Sequence, residues 1–168
     1  MPYRIATLLY CFNKQDDVLL MERAQQPNLG LWSPCGGKLH QDEGESPYAC
    51  ACREAQEEIG LAISPGDLHL TGLVSEHGYE GQSHWLMFLF EVKQRLNSLP
   101  TAHREGRFQF FARAALNRLN LPKTDLERLW PWFWQYRGGF FAAHCRCLVD
   151  GTNEWRLEEG RAGKSEIP

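Results

Sequence analysis

Short apolar runs separated by polar turns recur along most of the chain and predict β-strands. The first two runs, 5–12 and 18–21, are joined by the polar segment 13–17, which predicts a β-hairpin. The last two, 140–149 and 154–157, flank Asp150-Gly151, a dipeptide typical of hairpin turns. The remaining strands are predicted at 68–74, 84–92 and 108–111, and the glycine-containing segment 75–83 is predicted to be the turn between the first two of these.

Two segments carry helix boundary signals instead. Ser46 is a typical N-cap, Pro47 suits the first helical position and Gly60 is a typical stop, so a helix is predicted over 47–59. In the second segment apolar residues recur every three to four positions between 126 and 134. That helix is predicted to have Thr124 as its N-cap and to end at Gly138-Gly139. A separate helical turn is predicted before it, at 113–119.

The order of these elements is strands, a helix, more strands and a second helix. It predicts an α/β (α+β) fold, a sandwich in which a mixed sheet lies between helices. No repeat or linker interrupts the pattern, so one domain is expected over 1–158, followed by a flexible tail at 159–168. In the predicted loop 27–34, Trp32 is expected to pack on the core, with stacking on a ligand as the alternative.

Composition excludes several classes of partner. The chain of 168 residues is 43% hydrophobic and 23% charged with a net charge of −3, and no run of Lys or Arg occurs, which disfavours binding to nucleic acid polymers. The longest apolar run, 85–90, is far shorter than the roughly 20 residues of a membrane span. No signal segment is recognisable, so a cytoplasmic protein with six reduced cysteines is expected. The C-x-C spacing of four of them does not favour a zinc site.

The first predicted helix combines an apolar stripe with a crowded acidic face. Residues on the stripe fall at helical spacing and are predicted to be buried: Tyr48, Cys52, Ala55 and Ile59. Glu54, Glu57 and Glu58 are predicted to lie roughly opposite the stripe, where they repel each other and oppose the helix dipole. Arg53 is expected to relieve part of this repulsion by pairing with Glu57.

Two interpretations fit this acidic face. A solvated surface is the usual explanation for clustered glutamates. A divalent cation, Mg2+ with Mn2+ as a possible substitute, is the second, because hard cations prefer carboxylate, carbonyl and water oxygens. Further acidic residues on the preceding loop, among them Glu45, favour the metal site.

The segment from Gly37 to Leu61 resembles the sequence box of the Nudix (MutT-type) hydrolases. The box reads G-x5-E-x7-R-E-U-x-E-E-x-G-U, where U is aliphatic, and this chain matches it in register from Glu45 through Arg53-Glu54 and Glu57-Glu58 to Gly60. One departure stands out: seven residues, not five, separate Gly37 from Glu45. Beyond the box, the pattern is similar to that of oxidised-purine nucleoside triphosphatases of the family.

The resemblance implies a set of site residues. Mg2+ would be held by the Gly36 carbonyl and by Glu54, Glu57, Glu58 and Glu105. Glu54 or Glu105 would act as the general base, while Arg53 and Glu45 would orient the helix carboxylates.

The substrate contacts that the resemblance implies are at other positions. Arg23 and Lys38 would contact phosphates, and Ser33 and Asp125 would read the edge of a base. Simpler interpretations exist for three of these residues. Arg23 and Lys38 would suit a solvated surface, and Asp125 would also favour the N-terminal dipole of a helix.

The implied activity is cleavage of a pyrophosphate bond in a nucleoside triphosphate, oxidised and non-canonical ones included, by metal-activated water. The products would be a monophosphate and pyrophosphate. One alternative is hydrolysis of ADP-ribose, a nucleotide sugar or a dinucleoside polyphosphate. A second, of another class, is a Nudix domain that binds a nucleotide without catalysis. The box does not select among substrates, and the oligomeric state stays open.

Overall fold

The computed structural model describes residues 1–26, 28–102 and 104–164. The helices and strands are β1 Tyr3–Tyr10, β2 Val18–Arg23, β3 Trp32–Ser33, β4 Cys35–Lys38, α1 Pro47–Ile59, β5 Leu68–Tyr79, β6 Ser83–Val92, β7 Gly106–Phe111, α2 Trp130–Tyr136, β8 Phe140–Cys147 and β9 Asn153–Arg161. A six-stranded mixed sheet has the strand order β4-β1-β6-β5-β8-β9, and a smaller antiparallel sheet has the order β3-β2-β7. Turns of 3-10 helix occupy Gln41–Glu43, Pro65–Asp67 and Arg113–Arg118.

The large sheet separates two hydrophobic cores. Tyr10 of β1 packs with Phe133 of α2 on one face, while Leu9 packs with Ala55 of α1 on the other. Alternate residues of each strand thus serve opposite cores, as strand geometry requires. The predicted sandwich of a mixed sheet between helices is confirmed.

The predicted hairpin between the first two strands forms only at its turn. There the Asn13 amide donates to the Asp17 carbonyl, the Leu19 amide donates to the Cys11 carbonyl, and Phe12 bridges Val18. Beyond the turn the strands separate, since β1 and β2 belong to different sheets. Both edges of β1 are already taken, by parallel β6 and antiparallel β4. β2 pairs with β7 instead and is buried on both faces.

Several boundaries also differ from the predictions. β5 continues to Tyr79 and β6 begins at Ser83, so the predicted turn at 75–83 is shortened to residues 80–82. Trp32 is buried in a short strand and packs edge-on against Phe111, which supports the packing interpretation. β9 extends to Arg161, so the predicted tail is strand at 159–161. Residues 165–168 lie outside the described residues.

The second helix does not begin as predicted. Thr124 has helical torsions and makes no side-chain cap, so it is not the N-cap. Asp125–Leu129 form a wide π-helical turn before α2, in which the Trp130 amide bonds the Asp125 carbonyl. Pro131 explains the widening, because its ring lacks an N–H and crowds the preceding turn. None of the helices in the described part of the chain is both long and apolar enough to span a bilayer.

Arg137 ties the end of α2 to the rest of the fold. Its guanidinium lies over the Phe12 and Trp134 rings, 4.0 and 5.3 Å from their centroids, and donates to Asp16 and to Glu91 at 2.7–3.0 Å. The turn after β1, strand β6 and helix α2 thus share one cation. Arg95 also bonds Asp16, but from a more exposed position.

Arg137→Ala is therefore expected to lower the free energy of unfolding by about 2 kcal/mol or more, because it leaves the largely buried Glu91 carboxylate without its partner. Urea denaturation of the variant measures the effect. Arg95→Ala is the matched control and should cost less than about 1 kcal/mol, since its ion pair is solvated. Equal losses in the two variants would contradict the role of Arg137.

Candidate metal and nucleotide site

Local signals position helix α1 as predicted. The Ser46 hydroxyl accepts a hydrogen bond from the Ala49 amide at 3.1 Å, and Pro47 occupies the first turn. Gly60 adopts the left-handed conformation, φ +66°, and its amide closes the C-terminus on the Ala55 and Gln56 carbonyls. The helix is thereby set in place over β4 and β1.

The buried face of α1 matches the predicted stripe only in part. Ala55 is fully buried, and Cys52 and Ile59 are half-buried against the same core, but Tyr48 is exposed. Glu54 and Glu58, which were predicted to lie opposite the stripe, are buried against the sheet. The opposing strand explains this: the Gly36 amide donates to Glu58 at 2.9 Å, and a Cβ on Gly37 would collide with the Glu54 carboxyl. The glycines of β4 leave room for carboxylates between helix and sheet that larger side chains would fill.

Arg53 is the hub of the acidic cluster. Its guanidinium binds Glu45 through two nitrogens at 2.8 and 3.0 Å and Glu54 at 2.6 Å. The predicted contact with Glu57 is present at 3.2 Å, and the Lys38 carbonyl accepts a further bond at 3.1 Å. Hydrogen bonding from Arg53 lowers the pKa of Glu45 to about 2. One cation thus orients three carboxylates and the strand beside them.

The two additional residues before the helix are accommodated by a local bulge. Gln41–Glu43 form an exposed 3-10 turn that ends at Gly44, whose φ of +69° favours glycine. Beyond the turn, Glu45 accepts from the His40 amide at 2.8 Å while it also holds Arg53. The longer spacing therefore leaves Glu45 in contact with the helix.

The buried carboxyls of this cluster are short of positive charge. Burial, followed by the nearby Glu54 and Glu105, raises the pKa of Glu58 to about 8 despite the Gly36 amide. Burial also raises the pKa of Glu54, although Arg53 opposes the shift. Oxygen-rich ligands with excess negative charge fit a hard divalent cation. Within the described residues, however, no three acidic, His or Cys side chains already converge as a metal-binding group.

A cavity of about 460 Å³ opens beside this cluster and crosses the large sheet. Its lining contains most of the predicted site residues: Arg23, Ser33, Gly36, Lys38, Glu54, Glu105 and Asp125. Glu57 and Glu58 are not in the lining; Glu57 has 57% of its side chain exposed and Glu58 lies behind Gly36. The fold thus brings the predicted phosphate and base contacts to the same cavity as two of the carboxylates.

The cavity also contains a second acidic group. Asp125 is buried at the start of the π-helical turn, where burial raises its pKa to about 7 although the neighbouring Thr124 hydroxyl opposes the shift. Glu76 of β5 is likewise buried, and burial together with the Asp125 charge raises its pKa to about 8. Ser33 and Tyr79 line the same cavity.

Sequence reasoning missed Glu76 and Tyr79 because it assigned 75–83 to a turn. The signal that would have found Glu76 is strand alternation. Val74 is buried on the same strand two residues earlier, so Glu76 must face the same side of the sheet. A carboxyl at an inward position of a strand is itself a functional indication.

A family model described as the NUDIX domain matches residues 2–133. The mutator MutT protein from Bacillus halodurans superimposes with a TM-score of 0.71 at 21% identity, over 92% of this chain and 97% of that one. MutT protein from Methanosarcina mazei Go1 gives a TM-score of 0.64 at 23% identity, over 79% and 91% of the two chains.

A further structural relative is bound to a ligand. The NUDIX domain of Shewanella oneidensis NrtR, in complex with ADP ribose, gives a TM-score of 0.65 at 16% identity. The match covers 79% of this chain and 86% of that one. At these identities the structural likenesses show a shared fold.

Proposed function

This chain belongs to the Nudix family, whose membership implies hydrolase activity, and from that premise we propose that it cleaves a pyrophosphate bond of a nucleoside triphosphate. The products are a nucleoside monophosphate and pyrophosphate. The substrate class includes oxidised and non-canonical nucleotides.

A single cavity with two kinds of acidic group carries this proposal. Glu54 and Glu105 line it together with Arg23 and Lys38, as a phosphate and metal region requires. Asp125 lines it as well, with Ser33, and both offer groups that can hydrogen-bond a base edge. A molecule with an anionic chain and a polar heterocycle matches this combination.

The residues of the acidic cluster fit Mg2+, with Mn2+ as a substitute. The Gly36 carbonyl and four carboxylates would hold it: Glu54, Glu57, Glu58 and Glu105. Bound there, the metal would neutralise phosphate charge and lower the pKa of a coordinated water. The excess of buried negative charge around Glu58 supports this assignment.

The chain's own residues orient the reacting groups. Arg53 fixes the Glu54 carboxylate through a 2.6 Å hydrogen bond, so that its second oxygen is left for another partner. Glu54 or Glu105 takes the proton of the attacking water as general base. Lys38 and Arg23 supply positive charge to the phosphates, and Lys38 extends over the Trp85 ring, with its Nζ 5.8 Å from the ring centroid.

A second candidate function is hydrolysis of ADP-ribose. It is favoured by the likeness to the NrtR domain that binds ADP ribose. A non-catalytic nucleotide-binding domain is the third candidate. Because every carboxylate of the box is retained, catalysis is the better supported of the two classes.

A hydrolysis panel tests these candidates. Purified protein is assayed with canonical and oxidised nucleoside triphosphates, ADP-ribose and dinucleoside polyphosphates, each with Mg2+, with Mn2+ and with EDTA. We expect Mg2+-dependent release of pyrophosphate and a monophosphate from at least one triphosphate. Activity confined to ADP-ribose or a dinucleotide would contradict the triphosphate proposal. Binding without any turnover would favour the non-catalytic candidate.

We also propose a cytoplasmic location, because the six free cysteines suit a reducing compartment. A small nucleotide, not a nucleic acid polymer, is the proposed partner.

A further inference from the structure

Glu76 occupies an unusual position for a carboxyl group. It lies in the middle of the large sheet, paired across β5 with Trp85 of β6 on one side and with Cys145 of β8 on the other. Only 3% of the residue is exposed, and the surface that remains faces the cavity. The metal and phosphate assignments make no use of it.

Nothing in the described fold satisfies this carboxyl fully. Its Oε1 atom is buried and has no hydrogen-bond partner. The other buried polar atoms of this kind in the described residues belong to Tyr10, Thr71 and Trp130, and none of these residues lines the cavity. Because an unpartnered buried carboxyl oxygen is costly, a structural role explains Glu76 poorly and a ligand contact explains it well.

The groups around Glu76 are short of hydrogen-bond donors. The Thr124 side chain lies within hydrogen-bonding reach of both Glu76 and Asp125, but a hydroxyl carries a single proton. The Tyr79 hydroxyl donates its hydrogen bond to the Asn28 side-chain oxygen, 2.8 Å away. The two carboxyl groups therefore share hydroxyls that cannot satisfy both, and the raised pKa of Glu76 adds only the proton of a carboxyl group as a further donor. The Oε1 atom of Glu76 still has no partner and can accept from a ligand that brings its own N–H donor.

We propose that Glu76 is a specificity-determining residue whose Oε1 accepts an N–H from the exocyclic amino group of a nucleobase, with Asp125 contacting the same base edge. The inference rests on the proposed function in taking the ligand to be a nucleotide. It adds the chemical class of the base: an amino-substituted base is bound in preference to the same base without its amino group.

Binding of monophosphates tests this independently of catalysis. Affinities are measured by calorimetry for three matched pairs: GMP and IMP, AMP and purine riboside monophosphate, CMP and pyrimidin-2-one riboside monophosphate. The two members of each pair differ only in the amino group. We expect at least one pair in which the member without the amino group has an affinity at least about 10-fold lower. This is the loss expected when a buried polar group loses its partner.

Two variants connect the preference to Glu76. Glu76→Met removes both carboxyl oxygens at similar side-chain length and should bring the affinity ratio within about threefold of unity, through weaker binding of the amino-bearing member. Glu76→Gln keeps a carbonyl oxygen and should retain part of the preference. The melting temperature of Glu76→Met should change little, because Oε1 has no partner in the fold and the Thr124 hydroxyl still has Asp125 beside it. Glu158→Met, on the exposed strand β9, is the matched control and should leave the ratio unchanged.

The possible outcomes are distinguishable. Equal affinities in all three pairs, or an unchanged ratio in Glu76→Met, would overturn the inference, even with pyrophosphohydrolase activity demonstrated. Discrimination by monophosphate binding without hydrolysis of any triphosphate would support the inference and contradict the proposed function. Absence of binding for every monophosphate would overturn the inference as well, while the hydrolysis panel decides the proposed function separately.

Discussion

Glu54→Gln is expected to lower kcat by about 10²- to 10⁴-fold, the range for loss of a general base. Glu54 is the box carboxylate that both lines the cavity and is fixed by Arg53 at 2.6 Å. Glutamine keeps the shape and an acceptor for Arg53 but cannot take a proton or match the charge of a metal ligand. Because burial already raises the pKa of Glu54, a neutral side chain is tolerated there, and the free energy of unfolding of Glu54→Gln should lie within about 1 kcal/mol of the wild-type value.

Steady-state kinetics and urea denaturation, both at pH 7, measure the two quantities. Glu43→Gln is the matched control: it makes the same chemical change on the exposed turn before the helix and should leave kcat unaltered. Normal turnover in Glu54→Gln would remove Glu54 from the catalytic groups.

Glu57→Gln should also lower turnover by orders of magnitude with little loss of stability, since Glu57 belongs to the proposed metal ligands.

Arg53→Met is expected to lower the free energy of unfolding by about 3 kcal/mol, the lower end of the cost of removing one member of a buried ion pair, because Arg53 itself is partly exposed. The variant leaves Glu45 and Glu54 without the guanidinium that binds both, and each of these side chains is only 11% exposed. Turnover should fall as well, because Glu54 loses its orientation. Arg53→Lys keeps the charge but not the forked geometry, so its free energy of unfolding and its turnover should lie between those of the wild type and of Arg53→Met.

Acid titration of stability provides an independent measurement on Arg53→Met. In the wild type the pKa of Glu45 is lowered to about 2, chiefly by hydrogen bonding from Arg53. A carboxyl with a lowered folded-state pKa contributes stability above its unfolded value of about 4.3, and this contribution is lost as pH falls from there towards 2. Arg53→Met should lack that part of the acid dependence. Parallel stability profiles for the two proteins would contradict the role of Arg53 as the hub.

The parts of the fold that were predictable from the sequence depend on local interactions. Helix α1 begins at Pro47 and ends before Gly60 because capping is decided within a few residues. The pairing of β2 was not predictable, since it depends on β7, almost ninety residues away, and on β1 having both edges occupied.

The candidate site shows the same division. The spacing of Glu45, Arg53 and Glu54 was visible in the sequence, and their mutual contacts follow from it. The burial of Glu54 was not visible, because a helical pattern alone places glutamates in solvent. Glu54 is buried because it packs against strand β4, whose glycines are distant from it in sequence and leave room for its carboxyl group. Glu76 was missed for a related reason, since a glycine-rich segment suggested a turn where β5 continues.

The bulge before helix α1 has a consequence for how this segment varies and how it can be engineered. Both ends of the loop are clamped: the His40 amide binds Glu45, and Glu45 in turn binds Arg53. Whatever lies between them projects outward without moving the clamps. Insertions and deletions can therefore accumulate there during evolution without disturbing the helix. By the same logic, Gln41–Glu43 is the place at which an epitope or a fluorescent reporter can be grafted beside the cavity.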